Sequence, residues 1–171
     1  MSNGDTCFNL EDENKPIAST ELYQEGMGIV GSNHLELSSL KEKDWRDFIS
    51  AYPVLMRNGV PATITTASEI NYRARRSILG YNDENIYLIA VEAPGLNFSA
   101  CQAVLRNLRV DNAINLDGGG STKILREGKS ITSDEYNRAV DNVICVYLKK
   151  EQILHRVQTG AYSNRNNALA C

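Results

Sequence analysis

The sequence predicts an α+β protein with a mixed, largely antiparallel sheet and one or two packed helices. Short apolar runs of strand type outnumber the segments with helical periodicity. Two of these runs flank a four-residue polar turn, a spacing typical of an antiparallel hairpin. The helical patterns do not alternate regularly with strands, as they would in a doubly wound parallel sheet, and this favours the α+β class.

The first part of the chain contains short strands and one expected helix. Residues 1–34 hold apolar pieces among glycine, asparagine and acidic residues, which indicates turns and short strands. Residues 38–49 begin with serines that can cap a helix and carry apolar side chains loosely at helical spacing, so we predict a helix there. Residues 52–59 are an apolar run closed by Asn-Gly, which predicts a strand entering a turn.

A hairpin followed by a helix is the most strongly patterned region. Residues 77–81 and 86–91 are β-prone runs around the turn sequence Asn-Asp-Glu-Asn. Residues 97–109 place apolar side chains at i, i+3, i+4 and i+7, which indicates one apolar helix face. Asn97 or Ser99 is the expected N-cap, because both side chains can accept hydrogen bonds from helix N–H groups.

Further strands follow this helix. Residues 113–116 are a short buried strand that leads into a glycine run. Residues 123–125 are expected to pair with residues 129–131 across a Glu-Gly turn. Residues 143–148 are the last strongly apolar strand in the pattern.

Length, composition and charge narrow the functional classes. A chain of 171 residues with 42% hydrophobic and 23% charged residues matches one ordinary globular domain with a short appendage. Eighteen basic and 21 acidic side chains give a net charge of −3, so we expect no nucleic-acid partner. No run of about 18 apolar residues occurs, so no membrane span is expected. The first ten residues lack the basic start and apolar centre of a signal peptide.

Cysteine and histidine spacing argues against a metal site built from these residues. The four cysteines lie far apart, so we expect isolated thiols with Cys101 and Cys145 packed in apolar segments, although one disulfide stays an alternative. His34 and His155 have no partner at ligand spacing. We identify no cofactor, and an oxygen-ligated divalent cation near Asp117 remains an alternative.

The candidate site is the segment NLDGGGST at residues 115–122. Three successive glycines are conformationally costly and are favoured where the backbone approaches a ligand closely or presents N–H groups to an anion. A phosphate loop is excluded because serine and threonine precede the lysine. A dinucleotide fingerprint is excluded because Lys123 stands where its last glycine is required. The alternative to a ligand site is a flexible turn in which Asp117 only caps a backbone group.

The segment NLDGGGST resembles the signature of the phosphodiester glycosidase family, which includes N-acetylglucosamine-1-phosphodiester α-N-acetylglucosaminidases. Other segments are similar to that family in the same order: LMRNG at residues 55–59, RSILG at residues 76–80 and RAV at residues 138–140. Asn3-Gly4 and Phe8 resemble its Asn-Gly-x-Phe-Phe region with a longer spacing. Residues 92–95 read Glu-Ala-Pro-Gly where the family often has Asp-Gly-Arg. The similarity implies that the family's N-terminal piece is absent from this sequence.

The resemblance implies a hydrolase that cleaves the glycosidic bond of a sugar 1-phosphodiester in a cell-surface or wall glycopolymer. Asp117 would be the nucleophile or the general base for water. Arg76 and Arg138 would bind the phosphate oxygens of this phosphate-linked carbohydrate. The residues that would bind the sugar or phosphate are Asn115, Gly118, Gly119, Gly120, Ser121 and Thr122.

Other charged residues have weaker support as site residues. Glu92, Asp134 and Asp141 are candidates for a second carboxylate, each with the alternative of an ordinary loop or strand-end residue. Arg73 and Arg75 are expected to be solvated charges at alternating strand positions, with Arg76 on the opposite face.

The last part of the chain resembles a different kind of domain from the rest. Residues 156–170 resemble the opening of a SPOR domain, a peptidoglycan-binding module, but are too short to form one. This similarity implies a bacterial extracellular or cell-envelope location, with peptidoglycan as a partner of a full-length tail. We therefore predict a phosphodiester glycosidase-like domain at residues 1–148, followed by a linker and an incomplete SPOR-like segment at residues 149–171.

Two other functions remain as alternatives. The first is a non-catalytic module of the cell envelope that binds glycan or peptidoglycan through the glycine run. The second, with less support, is a metal- or nucleotide-dependent phosphatase, which would release inorganic phosphate.

Overall fold

The computed structural model describes residues 6–7, 25–30, 34–39, 45–65, 71–133, 139–140, 143–148 and 153–154. The strands are β1 (Thr6–Cys7), β2 (Glu25–Val30), β3 (His34–Ser39), β4 (Asp47–Ser50), β5 (Val54–Arg57), β6 (Val60–Pro61), β7 (Ala74–Tyr81), β8 (Ile86–Leu96), β9 (Asn112–Asn115), β10 (Leu125–Arg126), β11 (Lys129–Ser130), β12 (Tyr147–Leu148) and β13 (Ile153–Leu154). Helix α1 spans Phe98–Asn107. Antiparallel sheets and a helix confirm the α+β class.

The chain divides into two compact units. One comprises Met1–Gly4 and Ala51–Arg138, and the other comprises Asp5–Ser50 and Ala139–Cys171. The predicted boundary at residue 148 stays a prediction. Within the described ranges, the structure contains no helix with both the length and the apolar character of a membrane span.

The unit with Asp5–Ser50 contains a four-stranded antiparallel sheet in the order β1-β4-β2-β3. Close packing on β2 requires glycine, because a Cβ at Gly28 would lie 2.3 Å from a ring carbon of Trp45. The Trp45 and Phe48 rings also contact each other, with centroids 4.9 Å apart. This unit also contains the antiparallel pair β12 and β13, so only the last two residues of the strand predicted at 143–148 are in a strand.

The helix predicted at residues 38–49 is wrong. Its first two residues end β3, and Asp47–Ser50 form β4, which pairs with β2 in antiparallel register. All four residues of β4 are buried. A strand buried on both faces shows no alternation of apolar and polar residues, so a short apolar run of this kind cannot be distinguished from a helix by periodicity.

The unit that comprises Met1–Gly4 and Ala51–Arg138 contains the candidate site. It contains a five-stranded sheet in the order β6-β5-β9-β7-β8, and each neighbouring pair is antiparallel. Helix α1 contributes to the core of this sheet. The buried core residues are Leu55, Met56, Ile78, Phe98, Cys101, Leu105, Val110 and Ala113.

Turn chemistry explains why the chain reverses direction between β7 and β8 and between β5 and β6. In the loop between β7 and β8, the Asn82 side chain accepts hydrogen bonds from the backbone N–H groups of Glu84 and Asn85, at 3.0 and 2.8 Å. Asn58 and Gly59, with φ of 50° and 78°, form the two-residue turn between β5 and β6. The hairpin predicted at residues 77–81 and 86–91 and the strand predicted before the Asn-Gly turn are confirmed. Pairing across the Glu-Gly turn is also confirmed, but its strands are Leu125–Arg126 and Lys129–Ser130 instead of residues 123–125 and 129–131.

Helix α1 confirms the helix prediction and resolves its cap. The Asn97 side chain accepts a hydrogen bond from the Ala100 backbone N–H at 2.9 Å, so Asn97 is the N-cap and Ser99 is not. Cys101 is 1% exposed and packs in the core as a free thiol, as expected. Burial raises the pKa of this thiol, which favours its protonated form.

Candidate active site

Asp117 lies just beyond the end of the central strand of the five-stranded sheet. Strand β9 ends at Asn115, and the Leu116 N–H then donates to the Ser77 carbonyl oxygen at 2.8 Å. Pairing with β7 therefore continues for one residue past the strand end. Asp117 follows as a half-buried residue whose Oδ1 accepts a hydrogen bond from the Gly118 N–H at 2.9 Å. This hydrogen bond orients the carboxylate.

The glycine run turns back over β7. Gly119–Ser121 form a 3-10 turn in which the Ser121 N–H donates to the Gly118 carbonyl oxygen at 3.1 Å. Gly118 must lack a side chain, because a Cβ there would lie 2.6 Å from the Arg75 carbonyl oxygen. Gly119 has a φ of 59°, in the left-handed region that favours glycine. Close approach and a positive φ therefore explain these two glycines.

Three side-chain oxygen atoms in the segment that contains Asp117 are buried without a hydrogen-bond partner in the part of the chain that the structure describes. They are Oδ1 of Asn115, Oγ of Ser121 and Oγ1 of Thr122. The Asn115 amide nitrogen donates to the Tyr52 carbonyl oxygen at 3.1 Å, which assigns the other amide atom as an acceptor. A buried polar atom left unsatisfied costs roughly 1–3 kcal/mol, so these three atoms need hydrogen-bond partners other than the described residues, and a bound ligand would be one such partner.

Arg76 lies at the same end of the sheet as Asp117. Ile78 pairs with Asn115, and Asp117 and Arg76 each stand two residues beyond that pair on adjacent strands. Arg76 is 4% exposed, and its guanidinium carbon lies 4.3 Å from the centroid of the Phe98 ring. It also donates to the carbonyl oxygens of Tyr72 and Leu96, at 2.6 and 3.3 Å.

These contacts connect the start of β7 with the end of β8 and the first residue of α1. Burial lowers the pKa of Arg76. The predicted partner Arg138 lies outside the described residues, as do Asp134 and Asp141. The roles given to Arg76, Asp117 and Arg138 therefore stay predictions.

The expectation that Arg75 is exposed is wrong. Arg75 is 7% exposed, and its Nη2 donates to the Thr122 carbonyl oxygen at 3.0 Å. The glycine run covers this face of β7, while helix α1 covers the face of Arg76. Arg73 is exposed, as predicted. Nothing in the sequence near Arg75 signals its burial, because the covering segment lies 47 residues away.

Glu92 lies in a bulge opposite Arg75. Arg76 pairs with Val91 whereas Ala74 pairs with Leu96, so residues 92–95 stand against a single residue of β7. The exposed Glu92 carboxylate accepts a hydrogen bond from the Ser133 N–H. This hydrogen bond, with a smaller contribution from the Arg75 charge, lowers the pKa of Glu92. Among the described residues, no three His, Cys, Asp or Glu side chains cluster as metal ligands would.

Comparison with known proteins identifies the family of this chain. A search of curated proteins finds no match. One similar solved structure is the crystal structure of a hypothetical protein from Synechocystis, at 26% sequence identity and a TM-score of 0.49. The match covers 61% of this chain and 22% of that one, so this chain spans about a fifth of that protein's length. The phosphodiester glycosidase family model matches residues 1–147. The chain therefore belongs to the phosphodiester glycosidase family.

Proposed function

We propose that this chain contributes the active site of a hydrolase that cleaves the glycosidic bond of a sugar 1-phosphodiester, such as N-acetylglucosamine-1-phosphodiester. One observation carries the proposal: the carboxylate of Asp117 stands beside a glycine turn, in a segment where three buried side-chain oxygen atoms lack partners in the described ranges. Family membership supports the same chemistry. A glycopolymer of the cell surface or wall is the proposed source of the substrate, on the basis of the SPOR-like tail.

The proposed reaction cleaves the bond between the anomeric carbon and the phosphate oxygen and finally replaces it with a bond to the oxygen of water. If Asp117 is the nucleophile, its Oδ2 bonds to the anomeric carbon, the phosphate leaves with the bonding electron pair, and water then hydrolyses the glycosyl ester. If it is the general base, Oδ2 removes a proton from the water that attacks the same carbon. Both routes release a free sugar and a phosphomonoester.

A phosphate leaving group changes what the site must supply. Ordinary glycosidases protonate an alcohol leaving group with a carboxylic acid, whereas a phosphomonoester leaves as a weak base. The main requirement is then a cation that stabilises the charge developing on phosphate. Arg76 is the proposed cation because it lies level with Asp117 on the neighbouring strand. Arg138 is proposed as a second cation.

The buried oxygen atoms match the polar groups of an amino sugar. Asn115 Oδ1 can only accept, so its partner must be a donor such as a sugar hydroxyl or an acetamido N–H. The hydroxyls of Ser121 and Thr122 can donate or accept, so they suit a sugar hydroxyl or a phosphate oxygen. The proposed substrate provides both kinds of group.

The test uses the purified chain with UDP-N-acetylglucosamine or a methyl phosphodiester of N-acetylglucosamine 1-phosphate. We expect release of free N-acetylglucosamine, a decrease of at least about 100-fold in Asp117→Asn, and nearly unchanged release in the matched surface variant Arg73→Ala. Equal release by wild type and Asp117→Asn would contradict the proposal. Sugar binding by the wild type without turnover would instead support the glycan-binding alternative.

A further inference from the structure

We propose that Arg75 and Glu92 act as a pair of positioning residues that hold the glycine turn in its binding geometry. They do so by fixing the two ends of one segment, residues 118–133, which we call the loop segment. Neither side chain needs to touch the substrate in this arrangement. The effect on catalysis rests on the proposed function, whereas the effect on the loop segment does not.

Arg75 holds the first end of the loop segment. Its Nη2 donates to the carbonyl oxygen of Thr122 at 3.0 Å, and its own carbonyl oxygen lies where a Cβ of Gly118 would clash. The Arg75 side chain and backbone therefore contact residues on both sides of the 3-10 turn. Since Thr122 is 1% exposed, the contact is shielded from water, where a hydrogen bond from a charged group is strong.

Glu92 holds the other end. Its carboxylate accepts a hydrogen bond from the N–H of Ser133, the last residue of the loop segment. Between the two ends, the Ile131 N–H donates to the Ile124 carbonyl oxygen at 3.0 Å, and the Ile124 N–H donates to Thr132 Oγ1 at 3.2 Å. Strands β10 and β11 also pair within it. Because these contacts connect its two ends, the loop segment is one unit.

The bulge in β8 places Glu92 opposite Arg75. Residues 92–95 stand against Arg75 alone, and the positive charge of Arg75 contributes to the lowered pKa of Glu92. Opposite charges at the base of the loop segment thus hold a carbonyl oxygen at one end and an N–H at the other. Loss of either charge should free the turn that carries Ser121 and Thr122, and so weaken substrate binding more than it slows the bond-breaking step.

The experiment measures amide hydrogen exchange in the full chain for Arg75→Met and Glu92→Ala, with Arg106→Met and Glu84→Ala, both at exposed residues, as matched surface controls. We expect exchange across residues 118–133 to accelerate by about tenfold in both test variants and to stay unchanged in both controls. We also expect KM to rise by about tenfold with a smaller change in kcat, and Arg75→Lys to restore most of the KM.

The outcomes separate this proposal from the proposed function. Unchanged exchange in Glu92→Ala, or equal acceleration in Glu84→Ala, would overturn the positioning role whatever the activity. If Arg75→Met does not fold, Glu92→Ala alone decides, because Glu92 is exposed and its substitution leaves no buried cavity. Accelerated exchange in a chain whose wild type does not release sugar would retain the positioning role and contradict the proposed reaction.

Discussion

At the scale of single residues, Arg75 and Arg76 are adjacent on β7 but contact different parts of the chain. Adjacent strand residues face opposite sides of a sheet, and here both sides are covered. Arg76 stacks on the Phe98 ring, whereas Arg75 donates to the carbonyl oxygen of Thr122. Two buried arginines of the same chemical type therefore have different proposed roles, one beside the reacting centre and one beneath the glycine turn.

The buried hydroxyl of Thr122 leads to a test at this scale. Since its Oγ1 has no partner in the described part of the chain, Thr122→Val removes an unsatisfied polar atom at nearly constant shape. We expect the free energy of unfolding to stay constant or to rise by about 1 kcal/mol, while the KM for the sugar phosphodiester increases by about tenfold. Urea denaturation and steady-state kinetics measure the two effects.

Thr132 provides the matched control for this substitution. Its Oγ1 accepts a hydrogen bond from the Ile124 N–H at 3.2 Å, so Thr132→Val should lower the free energy of unfolding by about 1 kcal/mol. Equal destabilisation by the two substitutions, with an unchanged KM in Thr122→Val, would contradict a ligand contact at Thr122.

At the scale of elements, local chemistry determines where α1 begins. Asn97 is in extended conformation with φ of −81° and ψ of 171°, and its side chain accepts from the N–H three residues ahead. This contact satisfies one of the N–H groups that have no partner within the helix. Phe98, the first residue of α1, contacts the Arg76 guanidinium. The cap at Asn97 therefore helps to fix the position of a side chain that contacts Arg76.

Substitution of the two cap candidates tests this assignment. Asn97→Ala should lower the free energy of unfolding by about 1 kcal/mol, because it removes the hydrogen bond to Ala100. Ser99→Ala should change it by only a few tenths of a kcal/mol, since Ser99 is exposed within the first turn. Urea denaturation of both variants provides the comparison. A larger loss in Ser99→Ala would show that the cap is misassigned.

At the scale of the whole molecule, the charge of Glu92 couples stability to pH. The hydrogen bond from Ser133 and the charge of Arg75 favour the ionised carboxylate, so the pKa of Glu92 is lower in the folded than in the unfolded chain. The unfolded chain then binds a proton first as the pH falls. The stabilisation is therefore complete above the unfolded pKa and is lost as the pH falls through the folded pKa.

Thermal unfolding of Glu92→Gln tests this coupling. The wild type should have a higher Tm than the variant above roughly pH 5, and the difference should shrink as the pH falls below the ordinary range of a glutamate. The matched control is Glu84→Gln, which also removes one surface carboxylate and so measures the effect of that charge loss alone on the Tm. A Tm difference that stays constant, or grows, toward acid pH would contradict the coupling.

The sequence by itself determined the features that depend on neighbours along the chain. The β7–β8 hairpin, the turn at Asn58, and helix α1 were predictable because turn residues and apolar spacing act locally. The glycine run and Asp117 were predictable as a candidate site for the same reason. Strand β4 was not, because burial on both faces removes the alternation that distinguishes a strand from a helix.

Only the tertiary structure decided which polar groups meet. Thr122 lies 47 residues from Arg75, and Ser133 lies 41 residues from Glu92. No local pattern encodes contacts over such separations, since they depend on strand order and on a bulge in β8. The local sequence therefore predicted the glycine turn as a candidate site, whereas the position of that turn over β7 makes Arg75, expected as a surface charge, a buried partner of the turn.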